Sequence, residues 1–581
     1  MVEQHQQQPA APLLPDVPDV WLAEASRLLP EILIKRPDLS PPPNLPPDQA
    51  RVRLFEALSR LMLALVRASG AAIIVLDDLG QADPASLAWL DNLLTQVGRL
   101  PLGIAVAYRR SDDSAALARW LNELARLGLQ REIPLTPLDD VTIADLLRQV
   151  GLPGAVTGSL AQRLWNETGG NPFFVLETVR TLQEQQTDLT RVLNEPLPRP
   201  ASVQDVMRAR MQLLDEPTRH VLHACAVTGR SFDADLVQVV SGYGDHETLH
   251  ALDLLLSREF LQPDGPDYRF AHDHVAEAAY TLGGSATRRR YHQRAATVLH
   301  RRLSGQDADP TLPSTLAMHY ERSGQSHEAA SCWLLAGQRA WSLFAAEEAL
   351  HCFASGLNCA SDGALRFDLL AGQEEVLHYA GHRDEQQQCI ATLEQMMRDD
   401  LPHQRSTVMY RRGRLAVALN QWAAAEIALR QSLAAAQAHD PATETTRCLL
   451  ATTLLQQQRR TPARQVAETA RQQAAQRGDA VAQATCLLTL ADIARSAEDL
   501  ALSEQYLQQA IEQAHAATDQ VTQARLLINL STIAFQHGRF SEALHYAQDA
   551  VRLHQAQANR EGEAEAHTLV AMALARLQTL S

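Results

Sequence analysis

The sequence predicts a mainly helical protein of three or four domains that contains one short α/β segment. The 581 residues exceed a typical single domain, and their 46% hydrophobic content is enough for several cores. Ala, Leu, Gln and Arg dominate the second half and aromatic residues make up only 5%, a composition typical of packed helices. Near the N-terminus, two continuous apolar runs interrupt the helical periodicity.

These two runs predict parallel strands. Ala71 to Leu76 and Leu102 to Tyr108 are continuous apolar runs, and a predicted helix from Pro84 to Val97 lies between them. Continuous apolar strands that alternate with helices are typical of a parallel sheet covered on both faces. We therefore expect an α/β segment here.

Helical periodicity returns after this segment. Three helices are predicted, at Asp139 to Val150, Val156 to Thr168 and Asn171 to Glu184, and a proline-rich linker follows. Short helices then precede a hairpin-like stretch, Phe260 to Phe270, whose DGPD turn separates two short apolar runs. This order of elements suggests a winged helix.

From about residue 311 the sequence repeats itself as helix pairs. Aligning the repeats places four residues in register at spacings of 38, 40 and 40: Trp422, Arg460, Leu500 and Phe540. In the clearest copy, Leu527 to Leu553, Gly538 separates two helices and small residues form the packing face of the second. The pattern resembles the tetratricopeptide repeat, slightly lengthened. An irregular helical bundle is the alternative, but the register holds four times.

Two acids follow the first predicted strand. Asp77 and Asp78 stand at its carboxyl end, where ligands bind in open parallel sheets. One carboxylate can hold Mg²⁺ through water while the other orients an attacking water. A solvated turn is the alternative interpretation. Asp83 and Pro84 are predicted to cap and begin the next helix.

Arg109 follows the second strand, where its guanidinium can reach a terminal phosphate. Together the segments IIVLDDLGQADPASL, IAVAYRR and NETGGNPFFVLE resemble the core of the signal-transduction ATPases with numerous domains. This family includes bacterial transcriptional activators and cyclase-associated ATPases. The resemblance extends from about Val20 to Leu303.

The resemblance implies roles for particular residues. Asp77 and Asp78 match the Walker B acids, with Asp77 the ligand of Mg²⁺ through water, and Arg109 matches the sensor arginine. Gly170-Asn171-Pro172 matches the GxP motif that meets the base of ATP or ADP. His272, in the sequence FAHD, matches the winged-helix histidine that approaches the bound diphosphate. A hydrogen-bonded structural histidine is the equally weighted alternative.

One departure from the family is the P-loop. GxxxxGK[ST] is absent, and the single lysine, Lys35, has no glycine near it. In family terms the chain begins between the P-loop strand and the Walker B strand, and it ends inside a repeat-like helix. We expect either a late start codon or frameshift, or a natural product that pairs with a P-loop-bearing chain.

The predicted fold class combines four parts in a mainly α protein. These are a partial P-loop α/β domain (1–135), a helical lid (136–195), a winged-helix-like domain (196–305) and a C-terminal tetratricopeptide-like α-superhelix (311–581). Seven cysteines without a CxxC pair suggest neither disulfides nor zinc, and we expect them to be buried in helices.

The expected function is regulatory and scaffolding, connected with transcription, with the repeats binding a protein partner or a small-molecule inducer. One alternative is an ATP-hydrolysing enzyme, active only when the P-loop half is supplied, and another is a plain tetratricopeptide adaptor with a vestigial ATPase part. The net charge of -16 and pI near 5.7 disfavour direct DNA binding. We expect a cytoplasmic protein, since neither a secretory signal nor a membrane span is recognisable.

Overall fold

The structure is a computed structural model that describes most of the chain and is mainly helical. The described residues are 17–42, 47–97, 101–108, 115–129, 131–149, 154–184, 203–303, 311–397, 402–436, 442–517, 520–556 and 560–580. The chain divides into two compact units. Unit 1 comprises Met1–Arg126, Ala336–Leu357 and Asp362–Ser581, and unit 2 comprises Leu127–Leu335 and Asn358–Ser361.

The N-terminal part of unit 1 contains both predicted strands. Its elements are α1 (Asp19–Ala25), α2 (Glu31–Lys35), α3 (Pro47–Ser69), β1 (Ala72–Leu76), α4 (Pro84–Val97), β2 (Leu102–Val106) and α5 (Ala115–Arg126). β1 and β2 pair in parallel, with Ala72 opposite Leu102 and Leu76 opposite Val106. The predicted strand–helix–strand order is confirmed.

Only one face of this two-stranded sheet is covered by the described residues. On that face Ile74 is buried together with Leu63 of α3 and Leu93 of α4. On the other face Ile73 and Val75 are 71% and 72% exposed. The described residues therefore do not meet the expectation of a sheet covered on both faces, because α3 and α4 both pack on the side of Ile74.

Unit 2 begins with a small helical bundle. Its helices are α6 (Asp140–Gln149), α7 (Gly154–Thr168) and α8 (Pro172–Glu184), which lie within two residues of their predicted bounds. Ile143, Leu160, Leu164 and Val175 form its core. The predicted proline-rich linker lies outside the described residues.

The next part of unit 2 combines helices with a small antiparallel sheet. Its elements are α9 (Val203–Gln212), α10 (Glu216–Thr228), β3 (Ser231–Phe232), α11 (Ala234–Ser241), α12 (Asp245–Ser257), β4 (Leu261–Asp264), β5 (Asp267–Phe270), α13 (Asp273–Thr281) and α14 (Ser285–Leu303). The strand order is β3-β5-β4. The predicted hairpin is confirmed, and Gly265 supplies the positive φ of 61° that its turn needs.

The rest of the chain is helical, and from Asp362 onward it forms a helical array within unit 1. Its helices are α15 (Leu312–Ser323), α16 (Ser326–Ser342), α17 (Ala346–Cys359), α18 (Gly363–Ala380), α19 (Arg383–Met396), α20 (Pro402–Ala418), α21 (Trp422–Ala435), α22 (Ala442–Gln456), α23 (Arg460–Arg477), α24 (Ala480–Ser496), α25 (Leu500–Ala516), α26 (Gln520–Gln536), α27 (Phe540–Ala556) and α28 (Arg560–Leu580). From α20 to α28, each helix packs against the next along the chain.

The predicted repeat register is confirmed residue by residue. The four aligned residues are the first residues of α21, α23, α25 and α27. Two positions before each, the backbone is left-handed, at Asn420, Gln458, Glu498 and Gly538. The next N–H then bonds back into the preceding helix, as from Arg539 to the Ala534 carbonyl at 2.9 Å. One turn geometry thus recurs in each repeat.

Small residues allow these helices to approach closely. Ala543, Ala547 and Ala550 of α27 are fully buried, as are Ala463 and Ala467 of α23. Leucines of successive helices fill the space between these alanine faces. Each pair buries a surface that it leaves open when alone, which is the physical basis of a repeat array.

Candidate functional site

Asp77 and Asp78 lie directly after β1, at the carboxyl end of the parallel pair. Both side chains are exposed. The backbone N–H of Asp78, which is left-handed at φ 50°, donates to Asp77 Oδ1 at 3.0 Å. Leu79 N–H donates to the Ala107 carbonyl at 2.8 Å, which fixes the turn against β2. Two carboxylates are therefore presented to solvent on a backbone that the neighbouring strand holds in place.

Asp83 belongs to the next helix. Its Oδ1 accepts from the N–H groups of Ala85 and Ser86 at 2.8 and 2.9 Å, and Pro84 is the first residue of α4. The predicted cap is confirmed. This leaves Asp77 and Asp78 as the acids without a capping task at this strand end.

Arg109 lies outside the described residues. The last described residue before it is Tyr108, which is partly buried and packs against a cluster that includes Leu79 and Trp120. The proposed contact of Arg109 with a phosphate therefore stays a prediction.

Gly170, Asn171 and Pro172 form a tight turn into α8. Gly170 has a φ of 75°, and a Cβ there would lie 2.2 Å from the carbonyl oxygen of Leu138. Leu138 N–H in turn donates to the Gly170 carbonyl at 2.8 Å. Asn171 Oδ1 accepts from the N–H of Phe173 at 3.0 Å, so Asn171 caps the helix that Pro172 begins. Glycine is required at position 170.

His272 lies immediately before α13, with an exposed side chain. Its ring stands edge-on to that of Phe173, with a centroid distance of 5.3 Å and an interplanar angle of 90°. Two motifs about 100 residues apart in sequence therefore meet in one corner of unit 2. Phe173 was not among the residues predicted from the sequence, although its position directly after Gly170-Asn171-Pro172 was a usable signal.

The predicted site residues thus occupy two places. Asp77 and Asp78 belong to unit 1, whereas Gly170, Asn171, Pro172 and His272 belong to unit 2. Within unit 2, the Phe173–His272 ring contact brings the two predicted nucleotide-contacting motifs together.

A cleft of about 130 Å³, lined by both polar and apolar side chains, lies in the array between α24, α25 and α26. Its walls include Asp492 and Arg495 on α24, and Asn529 and Thr532 on α26. The Arg495 guanidinium lies 2.9 Å from an Asp492 carboxylate oxygen, and both side chains are about half exposed. The cleft therefore offers both signs of charge and neutral hydrogen-bonding groups to a partner.

A cluster of polar side chains around Glu374 is buried inside the array. Glu374 of α18 is fully buried, and it is bonded by Gln386 at 2.6 Å and by Arg414 at 3.1 Å. Arg411 also contacts Glu374, and Arg414 bonds the neighbouring Glu375 at 3.0 Å. Because each acid here has cationic partners, the cluster ties α18, α19 and α20 together and is a structural feature of the array.

The tetratricopeptide-repeat family model matches residues 481–556. No curated protein matches the chain. A solved Pyrococcus horikoshii protein, a signal transduction ATPase with numerous domains and a tetratricopeptide repeat sensor, is 13% identical with a TM-score of 0.52, over 90% of this chain and 73% of its own.

Two further solved structures have lower TM-scores. The apo quorum sensor NprR of B. thuringiensis is 12% identical with a TM-score of 0.37, over 65% of this chain and 96% of its own. A Rap protein complexed with competence and sporulation factor is 11% identical with a TM-score of 0.34, over 51% and 82%. These two carry no argument about this chain, whereas the Pyrococcus structure shows a shared fold.

The fold therefore defines a mainly helical protein with tetratricopeptide-like repeats. No helix in the described parts of the chain is long and apolar enough to cross a membrane.

Proposed function

We propose that this chain is the regulatory and scaffold part of a signal-transduction ATPase with numerous domains that acts in transcriptional regulation. The observation that carries the proposal is the acid pair at the end of β1, on a parallel sheet whose second face the described residues leave uncovered. The fold similarity to the Pyrococcus protein supports it.

The uncovered face argues for a further segment. Ile73 and Val75 point away from α3 and α4 and are more than 70% exposed, although parallel sheets are normally covered on both faces. Covering these two side chains would contribute roughly 1.5 to 3 kcal/mol each. The proposed occupant is a segment carrying the P-loop strand and helix, because these are the elements that the family resemblance implies and that this sequence does not contain.

The residues present fit the metal side of such a site and not the phosphate side. Carboxylate oxygens suit Mg²⁺, which keeps several waters and takes its other ligands from phosphates. Asp77 would hold Mg²⁺ through water, and Asp78 would orient the attacking water. A phosphate cradle needs backbone amides and a lysine in GxxxxGK[ST], which this sequence does not contain. We therefore derive no hydrolysis by this chain alone.

The corner of unit 2 is proposed to contact ATP or ADP. In this proposal Gly170, Asn171 and Pro172 meet the base, and His272, held by the ring of Phe173, approaches the diphosphate. The bundle α6–α8 then acts as a helical lid, and the elements from α9 to α14 act as a winged-helix-like domain. Arg109 would report loss of the terminal phosphate.

The repeats are proposed to bind a protein partner or a small-molecule inducer. Residues such as Asp492, Arg495 and Asn529 in the cleft can form charge-assisted hydrogen bonds with either. Binding there would shift the balance between closed and open forms of the nucleotide-binding parts if it favours one of them.

A charge placed on the uncovered face tests the proposal. Ile73→Lys should leave the chain folded, because the position is exposed, but should prevent assembly with an added P-loop segment taken from a complete family member. Mg-ATP affinity, measured by calorimetry, should appear when the segment is added to the unchanged chain and should not appear with Ile73→Lys.

Ile427→Lys is the matched control, because Ile427 is 61% exposed on α21, far along the chain. It should behave like the unchanged chain. If the added segment confers no affinity on the unchanged chain, or if Ile73→Lys assembles normally, the proposal is wrong, and a tetratricopeptide adaptor with a vestigial ATPase part is the better description.

A further inference from the structure

Two cysteines of the array lie side by side. Cys448 of α22 and Cys486 of α24 are free thiols, and their Sγ atoms are 3.4 Å apart. They are 38 residues apart in sequence, which is the spacing of the repeats there, so they occupy equivalent places in consecutive repeats. Among the described residues, Ala470 of α23 completes their buried cluster, and its small side chain leaves the two sulfurs in contact.

We propose that Cys448 and Cys486 form a redox modification site, which hydrogen peroxide converts to a disulfide that locks two consecutive repeats together. The proposal is independent of the nucleotide site. It rests on the distance between the sulfurs, their placement on different repeats and the difference in their exposure.

The two sulfurs are not equivalent. Cys448 keeps 7% of its surface exposed, whereas Cys486 is fully buried, so a small oxidant reaches Cys448 first. The hydrogen bond from the Cys486 thiol lowers the pKa of Cys448 in spite of its burial, and Thr489 contributes in the same direction. Elsewhere burial raises the pKa of Cys332 and Cys352 to about 11 and that of Cys389 to about 12. Cys448 is thus suited to be the attacking thiolate.

One molecule of hydrogen peroxide is enough to oxidise the two thiols to a disulfide. The Cys448 thiolate attacks one peroxide oxygen, the O–O bond breaks, and a sulfenic acid and one water form after proton transfer. The Cys486 sulfur then attacks the sulfenic sulfur and displaces the hydroxyl group, which leaves as a second water with the Cys486 proton. Two thiols lose two electrons in total and the peroxide gains them. The sulfurs must close from 3.4 Å to ~2 Å, a small movement of two adjacent helices.

The bond would restrain the array locally. It would connect α22 directly to α24, bypassing the intervening α23, and would close a loop of one repeat. Cross-links of this kind act chiefly by restricting the opened chain, so helices on both sides of the bond should open less often.

The test uses the full chain, reduced and then treated with a slight excess of hydrogen peroxide. After alkylation and trypsin digestion without reductant, peptides 448–459 and 478–495 should appear as one disulfide-linked species in mass spectrometry. Amide exchange in α22 and α24 should slow by roughly tenfold or more on oxidation, while exchange in α10 should not change.

Cys448→Ser and Cys486→Ser should each abolish the linked species, with folding checked by circular dichroism, whereas the control Cys359→Ser should retain it. If either variant fails to fold, the disulfide mapping of the unchanged chain by mass spectrometry still tests the proposal. The proposal is overturned if peroxide leaves both cysteines as thiols, oxidises Cys448 to sulfinic acid without a link, or links other cysteines in preference to this pair.

Discussion

Acid should unfold unit 2 through three buried histidines. His223 of α10, His292 of α14 and His319 of α15 are almost fully buried. His292 Nδ1 lies 2.9 Å from His319 Nδ1, and His292 Nε2 lies 3.0 Å from the hydroxyl oxygen of Tyr280. Among the described residues, no hydrogen-bond partner faces Nε2 of His223 or of His319. A backbone hydrogen bond at Tyr280 favours the charged form of His223, but burial and the nearby positive charges oppose that form more strongly.

Burial lowers the pKa of His223 and His319 to about 4 and that of His292 to about 3. Arg288, near His223 and His292, and Arg322, near His292 and His319, lower these pKa values further through their positive charge. In the unfolded chain each histidine titrates near its usual value of roughly 6.5. Between about pH 6.5 and pH 4 the unfolded state therefore binds more protons, and the stability of unit 2 falls as the pH falls.

The size of this loss of stability follows from the difference between the histidine pKa values in the folded and unfolded states. At pH 5, protonation of one such histidine favours the unfolded state by about 2 kcal/mol, and three together by about 6 kcal/mol. At pH 8 the contribution is close to zero. A loss of this size is comparable to the whole stability of many domains, roughly 5 to 15 kcal/mol.

This loss of stability can be measured by urea titration of the full chain at pH 8 and at pH 5. Pulsed hydrogen exchange in α14 and α15 reports the unfolding of unit 2. The double variant His292→Leu/His319→Leu should reduce the difference between the two pH values to about 2 kcal/mol, since one of the three groups remains. His246→Gln, at an exposed position, is the control and should leave the difference unchanged. Equal stability of the unchanged chain at both pH values would refute the reasoning.

Three further predictions concern folding. Gly170→Ala should destabilise unit 2 by roughly 2 to 4 kcal/mol in thermal melts. Gly169→Ala should cost only about 1 kcal/mol, because Gly169 also has a positive φ but has open space around it. Equal losses in the two variants would contradict the close contact between Gly170 and Leu138. Gly538→Ala should destabilise the array by about 1 kcal/mol, while Glu498→Gly should be neutral or slightly stabilising, because relief of left-handed strain offsets the chain entropy of glycine. Residues 311–581 alone should give a strongly helical circular dichroism spectrum with a cooperative melt, and a random-coil spectrum would show that the array depends on the rest of the chain.

Local patterns in the sequence were enough to predict much of the fold. The repeat register was readable because Trp422, Arg460, Leu500 and Phe540 each begin a helix after the same turn. The DGPD turn and the cap at Asp83 were readable because their geometry depends on neighbouring residues alone.

Contacts between residues that are distant in sequence could not be predicted from such local patterns. His223, His292 and His319 come from three helices, and no spacing connects them. The Cys448–Cys486 contact was different, because its 38-residue spacing equals that of the repeats and could have been noticed. The uncovered face of β1 was missed because an apolar strand pattern shows that a face is apolar and does not show what covers it.

Asp77 and Asp78 are proposed to serve a nucleotide site that a P-loop segment completes. The measurement that tests this most directly is Mg-ATP binding and turnover by the chain together with that segment, compared between the unchanged chain, Asp78→Asn and the control Asp253→Asn, whose acid is exposed on α12. Asp78→Asn should retain binding and lose turnover by roughly 100-fold or more, since it removes the group that orients the attacking water, while Asp253→Asn should change neither. If Asp78→Asn turns over ATP as fast as the unchanged protein, the acid pair is a solvated turn and the claim is contradicted.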